Sequence, residues 1–351
     1  MISSDRPLTL KEVAQRLGVS TATVSNAFNR PSQLSAELRQ HILDECAKFD
    51  YYGPGASSRT MRTEKTGIVG LMVSNYLTYS FADPVANQFL QGVAEVFESK
   101  SYNMLICPSR ENLIHLRGGE SFVDGFIIYG PPNRGKLAEL QRQNKSFITV
   151  DFRAGDAGSV NIDNRAAAHA IATHALLHRP KKIGVIALRV VEGDRLHPLL
   201  PEHMVCDPSN ITSLRLKGYI EASEAAGITI QPDDIINVPD NTHEFGLSAA
   251  NHLLSRDDKP DLILCMSDRL GLAALEIARM KNLQVPRDLH ITGFDDIAEA
   301  ASADPGLCTI RQDSVEKGRL AARLFLGLHH ERHNTLENEL VVRGSCPHPN
   351  T

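Results

Sequence analysis

The chain has 351 residues, which at about 150 residues per domain predicts two or three domains and excludes a single small module. Hydrophobic residues supply 42% and charged residues 23%, usage that excludes a disordered or fibrous class and allows a sizeable core. The formal net charge of −5 conceals a split: residues 1–65 hold nine Lys/Arg against seven Asp/Glu, a balance of +2, and the remainder carries −7. The six cysteines stand at least 38 positions apart with no Cys-x-x-Cys pair, so they read as reduced thiols. The start Met-Ile-Ser-Ser-Asp-Arg-Pro has no secretory pattern, and no apolar run reaches the roughly 20 residues of a membrane span. The expected location is the cytoplasm.

In chain order, Thr9 begins the first helix, because Glu12 three positions on can complete a capping box. Leu10, Val13, Ala14 and Leu17 fall on one helical face, and Gly18 ends the helix. Ser20 caps a second helix running to about Phe28, and Ser35 a third in which Leu38, Ile42, Cys46 and Phe49 recur at helical spacing. Gly53-Pro54-Gly55 closes this unit. From Thr66 onward the pattern alternates. Strands are expected at 68–73, 104–107, 126–129, 148–150, 183–188, 235–238, 262–266 and 289–293, with helices at 85–99, 164–177, 214–226, 244–254 and 270–280. Near-continuous apolar strands joined by helical crossovers indicate parallel sheets covered on both faces. So many units exceed one sheet. The expected fold class is an N-terminal all-α helix-turn-helix head followed by an α/β core of two doubly wound parallel-sheet subdomains with a cleft between them.

In a helix-turn-helix the second helix lies in the DNA major groove with its N-terminal side chains at base edges. Thr21, Ala22 and Thr23 occupy that position, and Ser25 and Asn26 lie one turn on. Thr methyls and Ala suit a thymine methyl, while hydroxyls and the Asn amide can hydrogen-bond bases or phosphates. The plain alternative is an exposed helix face filled with small residues. The full run from Thr9 to Arg30, with Val19-Ser20-x-x-Thr23-Val24-Ser25 and the following Asn29, resembles the DNA-binding head of the lactose repressor and galactose repressor family. The resemblance implies a transcription regulator and adds Thr9, Ser20 and Asn29 to the expected DNA contacts. It also implies that the segment from Tyr51 to Thr63 becomes a hinge helix on DNA, with Met61 as the apolar wedge in the minor groove between Arg59 and Arg62. Methionine is a more flexible wedge than the family's usual leucine, and a plain linker is the competing reading.

The resemblance extends over the core, through Asp124-Gly-Phe-Ile-Ile, Val150-Asp151, Asn161-Ile-Asp-Asn164, Ser267-Asp268, Ile291-Thr-Gly-Phe-Asp-Asp296 and Cys308-Thr-Ile-Arg-Gln-Asp313. Each is expected at the C-terminal end of a strand, where ligands bind in open α/β sheets. It implies a periplasmic-binding-protein-like core in which Asp151, Arg215, Ser267, Asp268, Asp295 and Gln312 contact a small effector, with Asn75 and Phe81 facing it from the other subdomain. Carboxylates, an Arg fork and an aromatic face suit a polyhydroxylated ligand, a sugar or a nucleoside. Asp268 can instead cap a helix, and Asp296 can be a structural partner. The Gly-rich segment expected after Leu188 is replaced by charged, His- and Pro-rich sequence through Pro208.

The implied division is a DNA-binding domain over 1–53, a hinge over 54–65 and an effector-binding and dimerisation core over 66–351. Its N-subdomain covers about 66–162 plus 314–336, and its C-subdomain about 163–313 plus 337–343. His174 and His178 stand at i and i+4, a zinc-compatible spacing, yet no third ligand completes a set and a solvated helix face is the expectation. His329, His330 and His333 read likewise. No metal, cofactor or catalytic motif is expected, so the protein is read as no enzyme. The expected partners are double-stranded, pseudo-palindromic operator DNA, read by a homodimer, and a small polar effector, with no membrane. The rival reading is a solute-binding protein of the sugar-transport type, against which the extra N-terminal head counts.

Overall fold

A computed structural model describes residues 8–30, 33–49, 51, 66–73, 76–108, 123–132, 137–138, 140–141, 145–191, 193–204, 207 and 210–349. The chain divides into two units, Met1–Ile68 with Leu116–Asp124, and Val69–His115 with Gly125–Thr351. In the first, α1 (Leu10–Leu17), α2 (Thr21–Asn29) and α3 (Ala36–Ala47) enclose a small core of Val13, Ala14, Val24, Ala27, Ile42, Cys46 and Tyr51. The capping box is formed: the Thr9 amide donates to Glu12 Oε2 (2.7 Å) and the Glu12 amide to Thr9 Oγ1 (3.4 Å). Gly18 takes φ +67°, the left-handed conformation that closes the helix, and Val19 returns its amide to Ala14 O (3.1 Å).

The second unit contains two mainly parallel sheets. The first has the order β12-β5-β4-β3-β1-β2, from β1 (Ile68–Val73), β2 (Asn103–Pro108), β3 (Gly125–Tyr129), β4 (Ser146–Val150), β5 (Gly158–Ile162) and β12 (His333–Leu336). Its helices are α4 (Leu77–Ala82), α5 (Pro84–Ser99) and α11 (Ser314–Phe325). The second has the order β10-β9-β6-β8-β7, from β6 (Ile183–Ala187), β7 (His197–Pro198), β8 (Ile235–Asn237), β9 (Leu262–Cys265) and β10 (His290–Thr292). Around it lie α6 (Asn164–Leu176), α7 (Ile211–Ala225), α8 (His243–Leu254), α9 (Asp268–Met280) and α10 (Ala298–Ser302). A third, two-stranded sheet pairs β11 (Thr309–Gln312) antiparallel with β13 (Asn338–Val341). The chain leaves the first sheet after β5, returns to it after β11 and leaves it again after β12.

The buried runs Val69 to Val73, Ile183 to Ala187 and Leu262 to Cys265 are central strands, so continuous apolarity reflects cover on both faces. Helix–helix contact is close where glycine replaces a side chain: a Cβ on Gly92 of α5 would overlap Val315 O of α11, and one on Gly318 would overlap Phe89 O. The charged segment after Leu188 is not a glycine loop but supplies β7, an antiparallel edge strand on β8. Two expectations are corrected. Asp124 precedes β3 rather than following a strand, and its carboxylate accepts from the amides of Thr66 (2.5 Å) and Gly67 (2.9 Å), fixing the turn into β1. The segment beginning at Cys308 is itself a strand of the two-stranded sheet.

Candidate functional site

In the head, Ser20 Oγ accepts the Thr23 amide (3.0 Å) and lies 2.8 Å from Thr23 Oγ1, so the start of α2 is fixed by its own side chains. Thr9, Ser20, Thr21 and Ala22 are exposed, and Thr23 and Asn26 are half-buried. Ser25 departs from the expectation: it is 5% exposed because α2 turns its Val24 to Ala27 side inward, so it supports the outward face and does not form it. The Asn29 side chain, Arg59, Met61, Arg62 and Asn75 lie outside the described residues.

In the core, a cavity of about 330 Å³ lies between the two large sheets. Asp151, Arg215, Asp295 and Gln312 line it, joined by Tyr79, Asp83 and Tyr129 from one side and by Arg189, Thr212, Asp240 and Asn241 from the other. Arg215 is 3% exposed and fixed on every side. Its Nε–H donates to Asn164 Oδ1 (2.8 Å), its Nη1 to Met266 O (2.5 Å), and its guanidinium stacks 3.6 Å over the Phe294 ring. Asp295 Oδ1 lies 3.8 Å from Arg215 Nη1 and accepts from Gln312 Nε2 (2.6 Å). Gln312 Oε1 in turn accepts from Lys317 Nζ (2.8 Å), which is paired with Asp151 Oδ1 at 2.8 Å. Arg215, Asp295, Gln312, Lys317 and Asp151 therefore form one polar chain that starts on α7 and ends beyond β4, spanning both subdomains. Burial pushes Asp295 well above the usual carboxylate range against the opposing pull of Arg215.

Backbone strain concentrates here. Asp151, Asp295 and Asp296 have φ of +64°, +122° and +60°, a region non-glycine residues rarely adopt, at a cost of roughly 1–3 kcal/mol each. Arg311 Nε and Arg343 Nη2 bind the two Asp296 oxygens at 2.6 and 2.5 Å, which makes Asp296 a structural partner at this turn. The Asp83 Oδ1 atom on the cavity wall is buried without a hydrogen-bond partner, as is Arg269 Nη1 outside the lining. Burial raises the Asp83 carboxyl, with the Arg269 charge acting against it.

Three expected contacts lie elsewhere. Phe81 is 55% exposed and does not line the cavity, since α4 instead turns Tyr79 and Ser80 inward. Ser267 caps α9 through the Leu270 amide (3.3 Å) and donates to Asn241 Oδ1 (2.6 Å), so it positions a lining residue. The Asp268 carboxylate accepts from Thr309 Oγ1 (2.5 Å) and the Ile297 amide (2.9 Å), bracing three segments behind the cleft. Sequence reading missed Tyr79, Asp83, Arg189, Asn241 and the buried Lys317. His174 and His178 are not on a solvated face, because their Nε2 atoms donate to the carbonyls of Cys346 (2.8 Å) and Pro347 (2.7 Å). Among the described residues no cluster fit to hold a metal occurs, and no helix is long and apolar enough to cross a membrane.

Comparison with known proteins places both units. Residues 9–53 match the bacterial regulatory proteins of the lacI family, and residues 202–346 a periplasmic binding protein-like domain. A helix-turn-helix-type transcriptional regulator of Mycolicibacterium smegmatis is 33% identical over 332 residues, covering 91% of this chain and 90% of that one. The helix-turn-helix-type transcriptional repressor CytR of Escherichia coli is 29% identical over 351 residues, covering 96% of each. The structure of the transcriptional regulator CelR in complex with cellobiose superposes with a TM-score of 0.66 at 26% identity, over 96% of this chain and 99% of that one. A helix-turn-helix head, a periplasmic-binding-protein-like core and near full-length likeness at 33% identity make this chain a member of the LacI family of transcriptional regulators.

Proposed function

We propose that the protein is a cytoplasmic, homodimeric repressor whose affinity for a pseudo-palindromic operator is set by an uncharged polyhydroxylated effector bound in the cleft. Residues 1–53 read the operator through Thr21, Ala22, Thr23 and Asn26, with Thr9, Ser20 and Asn29 supporting. Residues 54–65 act as the hinge, with Met61 as wedge between Arg59 and Arg62, and residues 66–351 bind effector and dimerise. Two heads are needed because one touches too few base pairs for useful affinity. The likeness to CytR and to the cellobiose complex of CelR supports a repressor role and a small polar ligand.

The observation that carries the effector class is the state of the cleft's charges. Asp151 is paired with Lys317, Asp295 with Arg215 and Asp240 with Arg189, so an anion or a cation would have to displace an existing partner. On the cavity wall the buried Asp83 Oδ1 has no hydrogen-bond partner. A ligand hydroxyl can donate to it, which a methyl cannot do. The effector acts through unequal affinity for open and closed cores, and no chemistry is assigned to the cleft.

The test is operator binding by the full chain and by a variant lacking residues 1–63, with a thermal-shift screen of neutral sugars, nucleosides and their phosphates on both. Operator binding confined to the full chain, with neutral compounds stabilising both proteins, is the expected result. Retained specific binding by the truncated chain overturns the head assignment, and a response to phosphates alone overturns the effector class.

A further inference from the structure

The C-terminal subdomain contains a group of thiols and imidazoles that neither DNA nor effector binding uses. Cys308, just before β11, and Cys346, after β13, are both 0% exposed. The backbone brings them together. Ser345 Oγ accepts the Cys308 amide (2.8 Å) and donates to Ile291 O (2.7 Å), while the Ser345 amide donates to Gly306 O (2.9 Å). The segment 343–349 is thereby laid against the start of β11, and Cys308 and Cys346 pack in the same buried cluster.

His174 of α6 completes the group. Its Nε2–H donates to Cys346 O (2.8 Å), and the Cys308 thiol is close enough to raise the imidazole. The His348 ring packs edge-on against it at 5.0 Å. The neighbouring Cys346 and His174 hold the Cys308 thiol below its ordinary range, whereas the nearby Cys308 and burial push Cys346 up. Such asymmetry separates an attacking thiolate from a resolving thiol. The cover is thin: residues 343–349 form neither helix nor strand, and Gly344 and His348 are exposed. The segment carries no helix or strand ladder, so a local opening that breaks its hydrogen bonds at Ser345, Cys346 and Pro347 admits a small oxidant.

We propose that Cys308 and Cys346 are a redox-modification site at which a hydroperoxide produces an intramolecular disulfide, stapling the C-terminal segment to the strand that carries Gln312. The Cys308 thiolate attacks one peroxide oxygen, giving a sulfenic acid and hydroxide. The Cys346 thiol then displaces the hydroxyl, forming the S–S bond and releasing water. The sulfurs are oxidised by two electrons and the peroxide is reduced by two, and an external dithiol restores the pair by exchange.

The experiment is stoichiometric hydrogen peroxide on the reduced full-length protein, followed by alkylation in denaturant, digestion and mass spectrometry. The expected result is the loss of two of the six thiols, one cross-linked peptide pair joining Cys308 to Cys346, and full recovery with dithiothreitol. Cys308→Ser and Cys346→Ser should each abolish the cross-link, and Cys46→Ser should not. His174→Gln should slow oxidation at pH 7 at least tenfold and move its pH midpoint upward. Peptide mapping of the unaltered protein decides the matter even if a variant fails to fold. Six alkylatable thiols after oxidation, a disulfide between other cysteines, or Cys308 driven to sulfinic acid without a cross-link would each overturn the proposal.

Discussion

Lys317→Met tests whether the polar chain across the cleft holds the core together. The Lys317 side chain is 1% exposed, and its Nζ is bound 2.8 Å from Asp151 Oδ1 and 2.8 Å from Gln312 Oε1. Methionine fills a similar volume but strands the Asp151 carboxylate, whose side chain is only 11% exposed. Breaking a buried pair in this way costs about 3–5 kcal/mol. At roughly 2–4 °C per kcal/mol for a domain of this size, the melting midpoint should fall by about 6–20 °C. The assay is denaturant and thermal unfolding of the full chain, with Asp151→Asn added to Lys317→Met. Asparagine tolerates the φ of +64° at position 151 and leaves no charge behind. The double variant should therefore recover at least about 2 kcal/mol of the single variant's loss. A single variant within about 1 kcal/mol of the unaltered protein, or strictly additive losses, would refute the argument that this pair is desolvated and coupled.

Other expectations follow from single contacts. Burial raises the Asp268 carboxyl to about 6, so the folded chain holds that proton more tightly than the unfolded chain does. Its contribution to stability is then full below about pH 4 and lost as the pH rises through about 6. Asp268→Asn can keep both hydrogen bonds, to Ile297 N–H and Thr309 Oγ1, and should flatten the stability profile between pH 4 and 7 in calorimetry; an unchanged slope would count against it. Gly318→Ala drives a methyl into the Phe89 carbonyl and should cost about 1–3 kcal/mol by denaturant midpoint. Ser20→Ala removes the α2 cap and, at about 1 kcal/mol, should speed hydrogen exchange over residues 21–29 about fivefold. Arg215→Ala should remove the thermal shift caused by the stabilising compound and leave operator affinity within twofold, whereas an unaltered shift would place the ligand elsewhere.

What the sequence could reveal depended on burial pattern. Strands covered on both faces, such as Val69 to Val73, were readable because each residue is apolar. The strands β12 and β13 were not, because His-Asn-Thr-Leu and Asn-Glu-Leu-Val sit at edges where solvent sets the composition, and β11 was not, because its buried Thr309 and Gln312 are polar and held by Asp268 and Asp295. The head was readable from local chemistry, since Thr9, Glu12, Gly18 and Ser20 act within a few residues of one another. The cleft was readable only in part. Asp83-Pro84 looks like an ordinary helix start, and Lys317 looks like one more charge on an amphipathic helix until Asp151, 166 positions away, is brought beside it. Ser25 shows the opposite error, because a polar residue one turn along a recognition helix can face inward.

The three passages out of and into the first sheet also dictate the order in which the protein can be built on the ribosome. All the strands of the second sheet have been made once residue 292 is reached, but the first sheet still lacks β12, and its strands β3 to β5 still lack α11, which packs on them and on α5. The half synthesised first is thus the half finished last. Through that interval the apolar face awaiting α11 stays open to solvent, which makes it the surface on which nascent chains should aggregate or recruit a chaperone. A chain stopped between β11 and α11 would fail in its N-terminal half, although the missing residues come more than 150 positions later in the sequence than β5.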